Sequence, residues 1–282
     1  MTETHQPSAL EQERRAYRRS RSQRSVLVAI LSTLAFAAIV WVGVVNTPGW
    51  ASVQQTFFDP ETALAALPRV WNGFLLNLTV LGLSVVTVPV AAMLIALLRT
   101  LRGPVFFPLR ALATGYTDLF RGIPLIIVLY LVGYGVPTLL GQRVEPVLLG
   151  TAAITLTYSA YVSEVIRAGI EAVHPSQRLA ARALGLSHGQ TLRRVVLPQA
   201  LRKMAPPLMN DFVALQKDVG LVSIIGAVDA VRGAQLETAV TYNFTPYVVA
   251  AVLFVLLAIP TIRLTDWYAA KLARREQTGA EL

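Results

Sequence analysis

The sequence has no cysteine, which excludes disulfide frameworks, thiolate zinc sites and iron–sulfur clusters. Charge is also scarce. Only 15% of residues are Asp, Glu, Lys or Arg, against roughly 25% in soluble domains. The three histidines, His5, His174 and His188, are too scattered in sequence to suggest a metal site. No G-x-x-x-x-G-K-[ST] loop occurs, so nothing here is expected to bind ATP by that route. Gly133–Tyr134–Gly135 and the stretch Gly185 to Gly189 do not match a dinucleotide fingerprint. H-E-x-x-H does not appear, which leaves intramembrane zinc proteolysis poorly supported. The expectation is a chain with no catalytic residue, no metal and no cofactor of its own.

What is present is apolar. The chain is 54% hydrophobic with a mean hydropathy of +0.55. Val26 to Val45 carries no charge over 20 residues. At about 1.5 Å per residue that length crosses a bilayer core of roughly 30 Å. A cleaved signal peptide would have an apolar region of only about 7–15 residues, so an uncleaved helix is expected. Val70 to Leu98 is a second charge-free run. A third span is expected over Leu109 to Val136, interrupted by Asp118 and Arg121 and bent at Gly122–Ile123–Pro124. A fourth runs from Pro146 through Glu164 and Arg167 to about Val173, ended by His174–Pro175. A fifth lies within Leu201–Gly226, broken by Pro206–Pro207, and a sixth over Thr238 to Ile262. The fold class is therefore an all-α membrane protein of about six transmembrane helices.

The net charge of +9 points to nucleic acid in a soluble protein, but its distribution points to a membrane. Of 25 Lys and Arg residues, 18 fall in the basic arm 1–25, the 99–110 loop, the 175–203 loop and the C-terminal end. Only Arg69, Arg143 and Arg232 fall in the opposite loops. The positive-inside rule then places both termini in the cytoplasm, and an even number of crossings agrees. Attraction of the arm to anionic lipid is a further expectation.

Charged groups inside spans are costly and face the protein interior or water. Glu164 and Arg167 are three apart on one helix and can pair, as can Asp118 and Arg121. Asn210, Asp211, Lys217 and Asp218 cluster on the fifth helix. Glu164, Arg167, Asn210, Asp211, Lys217 and Asp218 are thus candidates to line a solute pathway. The bland alternative is that they pair with one another and hold helices together.

The 175–203 loop is basic and contains a short predicted helix, about 176–185, capped by Ser176 and ended by Gly185. Leu179 and Ala183, and Ala180 and Leu184, are four apart, so apolar groups share adjacent faces. Residues 180–198 read Ala-Ala-x3-Gly-x9-Val-x-Leu-Pro. This resembles the cytoplasmic signature E-A-A-x3-G-x9-I-x-L-P of permease subunits of binding-protein-dependent ATP-driven importers. Ala180, Ala181, Gly185, Leu197 and Pro198 match, and Val195 stands for isoleucine. Leu179 stands where the pattern has glutamate. The stretches Phe120–Leu125, Tyr161–Ile170, Pro206–Phe212 and Leu215–Gly226 resemble the polar amino-acid uptake branch.

The resemblance implies a five-helix importer core over 70–275, preceded by the arm 1–25 and an added N-terminal helix with its external loop, 26–69, and followed by a tail, 276–282. It implies that the loop helix docks on a separate ATPase subunit, which binds ATP and Mg. Leu179, Ala180, Ala181, Arg182, Gly185, Leu197 and Pro198 would be the coupling residues. It further implies a second permease copy or paralogue, an extracytoplasmic solute-binding protein, an amino acid substrate, and residence in the cytoplasmic membrane. An ion-coupled carrier or channel, with Glu164, Arg167 and Lys217 as a relay, is the alternative; a scaffold without transport is a third reading.

Overall fold

The computed structural model describes residues 9–101 and 103–280, with the side chains of 9, 12–16, 18–22 and 273–280 excepted. The chain divides into two compact units after Gln55. The first holds helix α1, Ala9–Val45. Its stretch Gln23–Val45 buries nothing. Phe36, Ile39 and Trp41 are all more than 60% exposed. A helix apolar on every side and buried on none is suited to lipid. Its hydroxyls are satisfied internally: Ser32 and Thr33 both donate to the Ala29 carbonyl. Helix α1 begins within the basic arm, so the second part of that arm is helical; residues 1–8 and 281–282 lie outside the described residues.

Helix α2, Trp50–Phe57, leads into the second unit, which begins at Thr56. Helix α3 covers Pro60–Thr100 and starts ten residues before the charge-free run. The cause is its cap: Asp59 Oδ2 accepts from Thr62 N–H, and Pro60 needs no N–H partner at the first turn. Helices α4, Phe107–Gly122, and α5, Leu125–Leu140, replace the single bent third span. They meet at 109°. Ile123 is extended because Pro124 forbids helix before it, and the missing proline N–H leaves the break unrepaired.

Helix α6, Pro146–Glu171, is the centre of the unit. It packs on α3, α4 and α5 and on helix α9, Leu197–Asp218. A row of hydroxyls, Thr151, Thr157, Ser159 and Ser163, is buried along it. Between α6 and α9 lie helix α7, Pro175–Ala183, helix α8, His188–Thr191, and a π-helical turn, Leu192–Val196.

The expected break at Pro206–Pro207 is absent. Helix α9 runs through both prolines. Each removes one N–H, freeing the carbonyls of Arg202 and Lys203, and those residues are exposed, where water can take the bond. The break comes later, in a 3-10 stretch over Val219–Ile225 closed by Gly226 in the left-handed region. Helix α10, Ala230–Thr241, follows at 52°. The expected sixth run is also divided: Tyr242 turns the chain at φ 54° and helix α11, Thr245–Ala280, begins afresh.

The α9–α10 break is pinned to α3. Asn77 Nδ2 donates to the Val219 carbonyl at 2.8 Å and to Asp229 Oδ2 at 3.0 Å, and its Oδ1 accepts from Ala230 N–H. Asn77 and Asp229 are fully buried. Gly73 lets the backbones touch: a Cβ there would sit 2.3 Å from the Asp229 carbonyl carbon.

Among the described residues three helices are long and apolar enough to cross a membrane, or five if each broken pair is one span. The hydroxyl row of α6 makes it less apolar than these, although its 26 residues suffice in length.

Candidate functional site

Helices α3, α6 and α9 enclose a cavity of about 890 Å³. Its walls are apolar, with Val88, Met93, Leu97, Val162, Ile166, Leu208 and Phe212. Its polar groups gather at two ends. One holds Ser84, Tyr158 and Asp211; the other holds Arg99, Arg167, Glu171, Arg178 and His188. On α3, Ser84 and Arg99 are fifteen residues apart, which is about 22 Å along a helix.

The Ser84 end has free polar atoms. Ser84 Oγ and Asp211 Oδ2 are buried and have no hydrogen-bond partner. Such groups are costly unless something occupies the space they face. Tyr158 is satisfied differently: its hydroxyl donates to Asp218 Oδ2 at 2.7 Å, which joins α6 to the end of α9.

At the arginine end the carboxylates are paired, although Arg178 Nε is buried without a partner. Arg99 Nη1 donates to Glu164 Oε2 at 2.7 Å, closing α3 onto α6. Arg167 pairs with Glu164 on its other oxygen and with Glu171. Arg178, on α7, donates through Nη2 to the Ile170 carbonyl at 2.6 Å. One chain of contacts therefore links α7, α6 and α3 at this end.

The predicted pathway residues divide. Arg167 and Asp211 line the cavity, and Asp218 is bound to Tyr158, which lines it. Glu164 stands behind, between Arg99 and Arg167. Asn210 and Lys217 are exposed and do not line it. The expected pairing of Asp118 with Arg121 is not found among the described residues; Arg121 lies 6.0 Å from the Tyr161 ring centroid. The ion-relay alternative thus has two of its three groups in ion pairs and the third outside the cavity. Sequence reasoning missed Ser84 and Tyr158 altogether, and it placed Arg99 in a loop.

The predicted coupling residues divide: Leu179, Ala180, Ala181, Arg182 and Gly185 lie on or just after α7, whereas Leu197 lines the cavity and Pro198 stands at the start of α9. Helix α7 is N-capped by His174, whose Nδ1 accepts from Ser176 N–H, so Ser176 is not the cap. Its C-terminus closes by a Schellman motif: Gly185 N–H donates to Arg182 O and Leu186 N–H to Ala181 O. Gly185 has φ +83° with nothing within 4 Å of a Cβ, so backbone conformation selects glycine here, not space. Pro198 explains the π turn. Its ring crowds the carbonyl four residues back, and widening the turn relieves that; Leu197 N–H bonds to Leu192 O, five back. The result is a continuous rod from His188 to Asp218. Leu179, Ala180 and Arg182 face outward, whereas Ala181 is buried.

A loop helix closed at Gly185, followed by a rod that starts at His188 and continues through Pro198, is the arrangement expected from the resemblance to importer permeases. The family described as binding-protein-dependent transport system inner membrane component matches residues 25–274, and the chain belongs to it. It is a multi-pass membrane protein and the permease subunit of an ATP-driven importer. It is 32% identical over 202 residues to the arginine transport system permease protein ArtQ of Bacillus subtilis strain 168, covering 71% of this chain and 91% of that one. Its fold is similar to a crystal structure of "an amino acid ABC transporter with histidines", at TM-score 0.69 and 31% identity, over 76% of this chain and 98% of that one. The MetNI methionine ABC transporter in an inward-facing form shares the fold at TM-score 0.53 and 21% identity, over 76% and 99%.

Proposed function

We propose that the chain moves polar amino acids across the cytoplasmic membrane through the α3–α6–α9 cavity, driven by a separate ATPase docked on α7. The observation that carries this reading is the pair of unpartnered atoms, Ser84 Oγ and Asp211 Oδ2, at one end of a cavity ample enough to admit an amino acid. An ammonium group supplies what both lack. Asp211 offers it charge, Ser84 a hydroxyl acceptor, and Asp218 lies behind Tyr158 to hold that hydroxyl in place. The apolar walls between the two ends let the solute slide without binding tightly at intermediate points.

In this reading α6 is the fourth of six crossings, and both termini are cytoplasmic. ATP and Mg bind the partner subunit, a second permease copy or paralogue completes the pathway, and a solute-binding protein delivers from the outer side. ATP binding favours one access state by binding it more tightly, and the rod His188–Asp218 carries that preference to Asp211. The test is reconstitution with the co-purifying ATPase and binding protein. Solute-dependent ATP hydrolysis with uptake of a polar amino acid is the expected result. Uptake that persists without ATP and collapses with an ion gradient would count against it.

A further inference from the structure

A short helix that faces water outside the membrane should turn polar side chains outward. Helix α7 exposes Ser176, Gln177 and Arg182, but it exposes large apolar groups beside them. Ala181 is 4% exposed on its inner side, next to Arg178 bound to Ile170. Outward stand Leu179, 68% exposed, and Leu184, 83% exposed, with Ala180 and Ala183 between them. Residues four apart share a helix face, so these four make one continuous apolar stripe. Among the described residues nothing covers it.

The charge around the stripe has one sign. Residues 175–203 contain six Lys and Arg and no Asp or Glu. Arg182, Arg193 and Arg194 are exposed and have no ion pair among the described residues. The π turn bearing Arg193 and Arg194 packs against α7, so these exposed cations belong to the segment next to the helix that carries the stripe. A glutamate at 179 would suit a groove that offers a cation. A leucine there, amid unpaired cations, suits the opposite groove.

We propose that α7 fits an ATPase groove that is apolar where Leu179 and Leu184 enter and acidic along the rim that meets Arg182, Arg193 and Arg194. This rests on the reading of α7 as the ATPase-docking helix. A carboxylate at 179 would be desolvated in such a groove without a partner and would face rim acids of its own sign. The chain is therefore matched to its own ATPase and mismatched to one built for a glutamate-bearing helix.

The test uses the complete importer with its co-purifying ATPase, assayed in detergent and in vesicles by solute-stimulated ATP hydrolysis. Leu179→Glu is expected to lower stimulation about tenfold, and Arg182→Glu severalfold with the loss growing at low salt. Both positions are exposed, so the thermal midpoint of the purified permease should not move. Gly185→Trp serves as the reference and is expected to abolish stimulation. If Leu179→Glu matches or exceeds the parent while Gly185→Trp is inactive, the groove chemistry proposed here is wrong and the docking role stands. If Gly185→Trp is fully active, the docking role fails and the groove with it. An Arg182→Glu loss seen only in vesicles of anionic lipid, and not in detergent, would set the cations against headgroups and overturn the acidic rim.

Discussion

The two ends of the cavity hold carboxylates in opposite states, although Arg178 Nε is without a partner at the arginine end. At the arginine end every carboxylate is paired: Glu164 with Arg99 and Arg167, Glu171 with Arg167. At the Ser84 end a carboxylate oxygen and a hydroxyl are buried with no partner at all. A saturated group has nothing left to offer a passing solute, and its worth lies in joining helices. An unsaturated one destabilises the empty protein and is retained only if something recovers the cost. The difference separates fastening from recognition without reference to residue type, since Glu164 and Asp211 are both acids within apolar helices.

The sharpest way to break this comparison is Asp211→Asn. It removes the charge while keeping the shape, so uptake should fall about 100-fold in kcat/KM, roughly 2.7 kcal/mol. Thermal stability should hold or rise, because an unpaired buried carboxylate is gone. A large stability loss with normal uptake would move Asp211 into the fastening class. Glu164→Gln should behave the other way. It leaves Arg99 without a carboxylate and Arg167 with Glu171 alone, and a partly exposed network of this kind is worth about 2 kcal/mol. The thermal midpoint in detergent should drop.

Much of this was legible in the sequence, and the limits have physical causes. Charge-free runs located α1, α3 and α11, because lipid imposes length and apolarity directly. Gly185 located the end of the loop helix, because it acts through local backbone geometry, but the rod was expected only from Leu201 and in fact starts at His188. The α4–α5 break was marked by Pro124, but a 109° turn depends on what α6 offers to pack against. Pro206–Pro207 misled, since a proline's effect depends on whether the freed carbonyls meet water. Asp211 stood out as an acid in a span. Ser84 and Tyr158 did not, because hydroxyls are common in spans and only the cavity distinguishes these two. Arg99 looked like an ordinary charge at a helix end, and only the α3–α6 crossing gives it Glu164. Asn77 gave one faint signal, an amide inside an otherwise apolar run, and its three partners lie more than 140 residues away.

Ser84→Ala tests the smaller of the two free groups. One hydroxyl acceptor lost to an ammonium is worth about 1 kcal/mol, or about fivefold in uptake. The change should appear in KM more than in stability, since the Oγ has no partner to lose.

The smallest effect belongs to the wall. Met93 lines the cavity between the two ends and carries no charge or hydrogen-bonding proton. Met93→Leu keeps volume and apolarity, and such swaps are tolerated because neither transfer nor packing changes much. Uptake should stay within about twofold and the preference among amino acids should not shift. Discrimination in this scheme resides at the Ser84 end, and the wall's part is to offer no polar foothold on the way. A changed substrate preference in Met93→Leu would mean that side-chain fit along the wall selects the solute, and the contrast between the two ends would then describe affinity alone.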